Sequence, residues 1–312
     1  MSEAMLERPI GGSEAVLGSA PAPIGQAQAV AQTPASYRRR PVVDRELAVR
    51  GLPRGDLSPL QRSFRAWFSR TVSTLVMKTW FRVKVVNPER FQTEPALYCF
   101  NHMSWMDTLL LLSTFPRQPR LYMYGPKQAD IKQGGKNRFM WWTGVPVPFS
   151  PNKDDMLTSV RRAQAVFDSG GVLGIAPEGA IHVHEGDLLP FEEGAAYLAL
   201  RAGVPIVPVA ITGTSWARFR GRVLLRLGEP IPTGERPTRE VVARYSARAW
   251  HAIRVMVDED RDFDPPGPIG RWLTDVFNDW GEGGRPAASL VRGPDPADVP
   301  YGPASPEDAG AG

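Results

Sequence analysis

The chain has 312 residues, 42% of them hydrophobic, and a formal net charge of +4. Its single cysteine, Cys99, excludes an internal disulfide framework and any metal site built from several cysteines. The sequence contains no run of about 18 or more apolar residues, so it predicts no membrane-spanning helix. The acidic, glycine-rich start lacks the basic and apolar regions of a signal peptide, and we expect none there.

Both ends of the chain are predicted to be disordered. Residues 1–57 form a basic, Pro-rich arm, and residues 281–312 form a tail rich in Pro, Gly and Ala. Neither segment has a sustained apolar period, and such segments bury too little apolar surface to offset the entropy of ordering them. The remaining residues, 58–280, are predicted to form one domain.

The domain is predicted to begin with an amphipathic helix over residues 58–81. At about 100° per residue, one arc carries apolar side chains and the opposite arc carries Arg and Ser. The apolar arc comprises Leu60, Phe64, Trp67, Phe68 and Leu75, and the polar arc comprises Arg62, Arg65, Ser69 and Ser73. Aromatic residues on the apolar face of a basic helix are typical of an interfacial anchor. An ordinary helix packed on the domain is an equally open interpretation.

The rest of the domain alternates extended and helical segments. Strands are predicted over residues 82–86, 95–100, 121–125, 145–149, 171–177, 204–213 and 222–231. Helices are predicted over residues 107–115, 137–144, 154–170, 194–203 and 239–257. This alternation predicts an α/β fold, a mixed and mostly parallel sheet flanked by helices in an αβ sandwich.

The segment that carries chemistry is NHMSWMD, residues 101–107, between a predicted buried strand and a predicted helix. Loops of this kind lie at the carboxyl edge of the sheet, where α/β proteins bind ligands. Histidine is a natural general base near neutral pH, and a carboxylate on one ring nitrogen fixes its tautomer. A contact between His102 and Asp107 requires the histidine in the loop and the aspartate in the first helical turn, with Ser104 or Asn101 as the cap.

The longer pattern N-H-x-S-x-x-D resembles the first signature of the glycerol-phosphate and 1-acylglycerol-3-phosphate acyltransferase family. Two further blocks follow in the family's order, since APEGAIH at 176–182 resembles the third and VPIVPV at 204–209 resembles the fourth. Between them, PFEEGAAYLA resembles the family's F-K-K-G-A-x-x-L-A. The second block, at 144–150, is altered and ends in serine where the family has arginine. The resemblance covers roughly residues 80–232.

The resemblance implies an O-acyltransferase of phospholipid or glycerolipid biosynthesis. Such an enzyme moves a fatty acyl group from acyl-CoA or acyl carrier protein to the hydroxyl of a lyso-lipid, without a metal or a cofactor beyond the thioester. His102 is implied as the general base and Asp107 as its orienting partner, and backbone donors near the motif are expected to hold the oxyanion. The substrate-binding residues implied are Asn101, Ser104, Glu178, Gly179, Val204, Pro205, Val207 and Pro208.

Three departures from the family pattern bear on the acceptor. Ser150, Ile181 and the pair Glu192–Glu193 stand where the family has basic residues implicated in gripping the acceptor phosphate. Carboxylates repel a phosphate dianion, so these residues favour a lyso-lipid without a terminal phosphate. Lys153 is the candidate replacement cation in the substrate site. The alternative is a 1-acylglycerol-3-phosphate acyltransferase proper, making phosphatidic acid.

The charge distribution bears on partners and location. Between Arg38 and Lys84, twelve basic residues stand against three acidic ones. Such a block attracts anionic lipid or nucleic acid. Because the aromatic residues lie on one apolar arc and are not interleaved with the arginines, an anionic membrane surface is favoured and no nucleic-acid partner is expected. We therefore expect a peripheral protein at the cytoplasmic face of the membrane.

Three other functional interpretations remain open. The first is a non-catalytic module that binds an anionic surface or nucleic acid through the basic segment. The second is a hydrolase that uses Ser215 or Ser104 as a nucleophile and forms an acyl-enzyme, which direct transfer excludes. The third is an inactive member of the family. His182 and His184 are more typical of a solvated loop than of a metal site, and no metal is expected.

Overall fold

The computed structural model describes residues 45–52, 54–127, 134–149, 153–179, 188–260 and 267–278, all of which fall within one compact unit, residues 36–312. Its helices are α1 Arg45–Arg50, α2 Pro59–Trp80, α3 Met106–Thr114, α4 Gly134–Thr143, α5 Lys153–Asp168, α6 Gly194–Ala202, α7 Arg239–Glu259 and α8 Pro268–Asn278. Its strands are β1 Arg82–Val86, β2 Leu97–Phe100, β3 Leu121–Lys127, β4 Pro146–Phe149, β5 Val172–Ile175, β6 Ile206–Thr212 and β7 Arg222–Leu227. The sequence did not predict α8 as a helix.

The strands form one seven-stranded sheet in the order β1-β7-β6-β2-β5-β3-β4. Strands β6, β2, β5, β3 and β4 run parallel to one another. The pair β6 and β7 is antiparallel, whereas β7 and β1 are again parallel to each other. The predicted mixed, mostly parallel sheet is therefore confirmed. Strand β2 lies near its centre, which places the loop that follows it in the middle of one edge.

Both faces of the sheet are covered by helices. Alternate residues of β2 point to opposite faces, as the two-residue period of a strand requires. Leu97 and Cys99 pack with α5, α6 and α7, and Tyr98 and Phe100 pack with α2 and α3. The four side chains are almost completely buried, and this burial raises the pKa of the Cys99 thiol to about 12. The predicted sandwich is confirmed by these two core clusters.

The predicted disorder of residues 1–57 is wrong for their last part. Helix α1 lies within that segment, and Ala48 and Leu52 beside it are buried, Leu52 in the core cluster shared with α5. These two buried side chains, and the hydrogen bonds from Arg62 to the carbonyls of Gly55 and Leu57, attach this stretch to the domain. The predicted arm before residue 45 and the predicted tail 281–312 lie outside the described residues.

Helix α2 has strong local signals at its start. The Ser58 hydroxyl accepts from the Gln61 N–H while the Gln61 side chain accepts from the Ser58 N–H, which is a capping box, and Pro59 occupies the first turn. None of the described helices, α2 included, is long and apolar enough to cross a membrane.

The face by which α2 packs is the reverse of what an ordinary amphipathic helix would use. Ser69, Ser73 and Met77 are buried against the domain, although two of them belong to the arc predicted to be polar. Small side chains allow the helix to approach α3 closely. The apolar arc faces outward, with exposed side chains at Leu60, Phe64, Trp67 and Leu75. Phe68 alone in that arc is partly covered, because its ring packs edge-on against Trp142 of α4 at 5.5 Å.

Candidate active site

The candidate site lies where three adjacent strands end. Strands β6, β2 and β5 are neighbours and parallel, so the segments that follow them meet at one edge of the sheet. These segments contain His102 after β2, Glu178 after β5 and Thr214 after β6. Carboxyl edges of parallel sheets are the usual position of ligand sites in α/β proteins. The topology therefore assembles residues from three distant parts of the sequence.

His102 and Asp107 form the central pair. Nδ1 of His102 lies 2.9 Å from Oδ2 of Asp107. The histidine side chain is 25% exposed, whereas that of Asp107 is fully buried. His102 lies in the loop and Asp107 in the first turn of α3, as the predicted contact requires. The carboxylate occupies Nδ1, so the second ring nitrogen, Nε2, is the one that can exchange a proton with a substrate.

Asp107 has three further hydrogen bonds. Its Oδ2 accepts from the backbone N–H groups of Met103, at 2.7 Å, and Ser104, at 2.9 Å. Its Oδ1 accepts from the hydroxyl of Thr214. A buried carboxylate is costly unless such donors surround it, and these donors also prevent it from rotating. Because Asp107 occupies the Met103 and Ser104 amides, the backbone donors expected to hold an oxyanion beside the motif are already engaged.

Glu178 holds the same loop from the other side. Its Oε1 accepts from the backbone N–H of His102 at 2.8 Å, and its Oε2 accepts from that of Leu189 at 2.9 Å. The residue is buried. Burial raises the pKa of its carboxyl to about 7, against the opposing effect of the two N–H donors. The sequence predicted Glu178 as an acceptor-binding residue; the structure places both of its oxygens in contact with the protein backbone.

Asn101 and Ser104 also contact the protein at this edge. The Asn101 amide donates to the carbonyl of Ile211 at 2.8 Å and accepts from its N–H at 2.7 Å, which joins the end of β2 to β6. The Ser104 hydroxyl accepts from the N–H of Met106, the first residue of α3, at 3.1 Å. The N-cap residue of α3 is Trp105, which makes no side-chain capping bond, so the expected capping by Ser104 or Asn101 is wrong. Both residues are buried. Their described contacts shape the loop that presents His102.

The VPIVPV block approaches the His102 loop only by its end. Strand β6 runs parallel to β2 and pairs Ile206 with Leu97, so Val204 and Pro205 precede it at the opposite edge of the sheet, and the expectation that these two residues line the site is corrected. Val207 and Pro208 pair with Tyr98 and Cys99 of β2. Thr214, just beyond the end of β6, reaches Asp107. Thr214 was not predicted as a site residue; its position just after a strand parallel to β2 was the available signal.

The structure describes only some of the residues predicted to bind the acceptor. Gly179 has a φ of 69°, the left-handed conformation that favours glycine. A β-carbon placed on it would lie 3.8 Å from Cγ of Glu192, so this exposed glutamate lies beside the Glu178–Gly179 turn. Lys153 begins α5, but its side chain lies outside the described residues, as do Ser150 and Ile181.

Neither serine of the hydrolase interpretation bonds to the histidine ring in the part of the chain that the structure describes. Ser104 and Ser215 are both buried, and the Ser104 hydroxyl faces the start of α3. Within the same residues no cluster of His, Cys, Asp or Glu has the composition of a metal site. His182 and His184 lie outside them.

Part of the chain is similar in sequence to known proteins. Residues 82–212 match the family model described as Acyltransferase. The chain is 29% identical over 188 residues to human 1-acyl-sn-glycerol-3-phosphate acyltransferase beta, covering 53% of this chain and 64% of the human protein. It is 26% identical over 179 residues to the Saccharomyces cerevisiae 1-acyl-sn-glycerol-3-phosphate acyltransferase, covering 53% and 56%. The chain thus spans less than two thirds of the length of these relatives.

The fold is also similar to a solved structure. The crystal structure of the 1-acyl-sn-glycerophosphate acyltransferase PlsC from Thermotoga maritima aligns with a TM-score of 0.51. The alignment covers 69% of this chain and 94% of that one, at 18% sequence identity. At this identity the likeness concerns the fold alone.

The raised pKa of Glu178 predicts a pH-dependent stability. The folded protein retains a proton on Glu178 that the unfolded chain releases above the ordinary value of 4.5, up to a pH of about 7. The free energy of unfolding contributed by this group therefore falls as pH rises through that window. Glu178→Gln removes the titration. We expect wild type to lose stability relative to this variant by on the order of 3 kcal/mol across the window, measured by denaturant unfolding.

Glu192→Gln is the matched control, because Glu192 is an exposed carboxyl in the neighbouring segment. It should leave the pH dependence of wild type unchanged. Parallel stability curves for wild type and Glu178→Gln would contradict the shifted titration.

Proposed function

Because the chain belongs to the glycerol-phosphate acyltransferase family, we propose that it transfers a fatty acyl group from a thioester to the hydroxyl of a lyso-lipid. The donor is acyl-CoA or acyl carrier protein. The observation that carries the proposal is the contact of 2.9 Å between Nδ1 of His102 and Oδ2 of Asp107. It leaves the partly exposed ring with Nε2 available at the carboxyl edge of the sheet.

His102 acts on the acceptor hydroxyl as a general base. Nε2 takes the hydroxyl proton while the oxygen attacks the thioester carbonyl carbon, and Asp107 stabilises the imidazolium that forms. The tetrahedral intermediate then collapses, the carbon–sulfur bond breaks, and the proton passes from His102 to the departing thiolate. The products are an ester and a free thiol, and no acyl-enzyme is formed.

Glu178 positions the base. Its bond to the backbone N–H of His102, at 2.8 Å, and the bonds of Asp107 to the next two amides fix the loop on both sides of the ring. A base that is held in place before the substrate arrives lowers the entropic part of the barrier. In this proposal Glu178 fixes the position of His102, and Asp107 fixes the tautomer of the His102 ring.

The acceptor is proposed to lack a terminal phosphate. Glu192 lies beside the Glu178–Gly179 turn, at a position where the family pattern has a lysine. A carboxylate this close to the histidine loop disfavours a phosphate dianion and accommodates an ammonium group or sugar hydroxyls. The candidate of the ordinary family type is 1-acylglycerol 3-phosphate, which the names of the curated relatives favour.

The protein is further proposed to bind the cytoplasmic surface of the membrane peripherally. Leu60, Phe64 and Trp67 project from α2 into solvent, and the helix is already attached to the domain by its other face. A basic helix with exposed aromatic side chains matches the composition of interfacial helices. This arrangement brings the enzyme to the surface that contains its lyso-lipid.

His102→Ala should abolish transfer without unfolding the protein. The loss of a general base typically costs ~10²–10⁴-fold in rate, and Asp107→Asn should be nearly as damaging because it favours the wrong tautomer. The measurement is thiol release from an acyl thioester in the presence of a lyso-lipid. His251→Ala, on α7, is the matched control and should retain activity. More than about a tenth of wild-type turnover in His102→Ala would contradict its role as general base.

The acceptor is tested with lysophosphatidic acid and a panel of neutral, amino and sugar lyso-lipids under one donor. Wild type should prefer an acceptor without a terminal phosphate. Glu192→Lys should raise kcat/KM for lysophosphatidic acid by about fivefold or more, since it exchanges repulsion for attraction. Glu89→Lys makes the same change at an exposed site after β1 and should have no such effect. A preference of wild type for lysophosphatidic acid by more than about tenfold, 1.4 kcal/mol, would favour the ordinary family activity.

The membrane contact is tested by flotation with phospholipid vesicles. The double variant Phe64→Ser with Trp67→Ser should release the protein, because the burial of each large side chain in the lipid contributes about 1.5–3 kcal/mol to the free energy of binding. Leu157→Ser with Val255→Ser removes two apolar side chains that are equally exposed on α5 and α7 and should have no effect. Equal partition of the two double variants would contradict the contact.

A further inference from the structure

A second concave site lies far from His102. A cavity of about 280 Å³ opens between the first half of α2, the segment after α3 and the start of β3. Its basic residues are Arg70, Arg117 and Arg120, and its apolar lining includes Trp67, Leu112 and Phe115. We call this cavity the arginine cleft. None of the described residues that line it is acidic.

The cleft is separate from the active site. Helix α3 begins at Met106, next to the His102 loop, and ends at Thr114, beside the cleft. At about 1.5 Å per residue this helix spans roughly 13 Å. The cleft also contains Leu121 at the start of β3, which belongs to the amino edge of that strand. It therefore faces the opposite edge of the sheet from the catalytic pair.

The positive charge of the cleft is not neutralised within the described residues. No salt bridge there involves Arg70, Arg117 or Arg120. Arg70 donates to the carbonyl of Phe115, and burial followed by the charge of Arg117 lowers the pKa of its guanidinium. Nε of Arg120 is buried without a hydrogen-bond partner. Three arginine residues that line one cavity without a described counter-ion favour the binding of an anion.

Arg117 has no role in the fold that accounts for its position. Its side chain is exposed, and no described hydrogen bond or ion pair holds it. Arg120 stacks over Tyr122 with its guanidinium carbon 5.2 Å from the ring centroid, and both residues also line a smaller neighbouring cavity. Planar guanidinium groups bind phosphate oxygens in pairs, a geometry that lysine lacks.

We propose that the arginine cleft binds the phosphate of an anionic membrane phospholipid as a headgroup site distinct from the acceptor site. Trp67 supports a lipid in particular, because it both lines the cleft and belongs to the exposed apolar arc of α2. A phosphate in the cleft thus lies next to side chains suited to its acyl chains. Nucleic acid would require aromatic rings interleaved with the cations. The proposal rests on the proposed membrane contact of α2 and adds a specific headgroup to it.

The test uses the full chain and compares vesicles of phosphatidylcholine alone with vesicles that also contain phosphatidylglycerol. Arg117→Gln with Arg120→Gln should weaken binding to the anionic vesicles by about 30-fold, since each basic residue at such a surface contributes about fivefold. Binding to phosphatidylcholine should be unchanged. Arg236→Gln with Arg239→Gln is the charge-matched control, on exposed sites next to α7 across the sheet, and should behave as wild type. Circular dichroism verifies that each variant is folded. If the double variant is not folded, the same binding measurement is made with the single variant Arg117→Gln, which changes an exposed site.

A lysine pair distinguishes a binding site from diffuse attraction. Arg117→Lys with Arg120→Lys keeps the charge but removes the paired hydrogen bonds, and it should lose most of the preference for anionic vesicles. Full retention of that preference, or glutamine variants that match the control, would overturn the proposal. Titration with inorganic phosphate alone and with a short single-stranded oligonucleotide completes the test. Tight binding of either one, if abolished by Arg117→Gln, would assign the cleft to that ligand and overturn the lipid proposal.

The outcome is separable from the membrane contact and from catalysis. If a Leu60→Ser and Phe64→Ser variant, whose positions lie outside the cleft lining, binds neither kind of vesicle while the Arg117→Gln and Arg120→Gln variant loses only the anionic preference, both proposals hold. If the former has no effect on phosphatidylcholine binding, the membrane contact fails by itself. Acyl transfer to a dispersed acceptor reports on the proposed function independently of any vesicle.

Discussion

The architecture of the site depends on one buried carboxylate. Asp107 receives hydrogen bonds from the His102 ring, from two backbone amides of the same loop and from Thr214 beyond β6. These donors offset the cost of burying a charge. They also join three chain segments, the β2–α3 loop, the first turn of α3 and the end of β6. Glu178, in the segment after β5, accepts a hydrogen bond from the backbone N–H of His102, so the histidine is held from both sides.

The features predicted from the sequence are those that local information determines. Alternating extended and helical segments specified the class of fold, and the separation of five positions between His102 and Asp107 was enough to predict a loop-to-helix contact. The proximity of Glu178 to His102, in contrast, came from a family resemblance, because the two residues are 76 positions apart in the chain and no local pattern determines their contact.

The errors concern relations between distant segments. The direction of β6 places Val204 and Pro205 at the edge of the sheet away from His102 and Thr214 at the edge that contains His102. The direction of a strand in a mixed sheet depends on the whole topology. The arc of α2 was identified correctly, but periodicity gives the polarity of a face and not its partner. Ser69 and Ser73 are buried because close approach to α3 needs small side chains. Leu52 was assigned to a disordered arm because a composition average hides a single anchoring residue.

The inverted packing of α2 separates two properties that most helices combine. A conventional amphipathic helix uses one apolar face both to fold and to define its surface, so changes in that face are limited by stability. Here Met77 and the two serines hold the helix in place, and Leu60, Phe64 and Trp67 are not needed for that purpose. Changes in the outer face are therefore not limited by the attachment of the helix to the domain. The same independence has a cost during purification, since an apolar face without a lipid partner promotes self-association in detergent-free buffer.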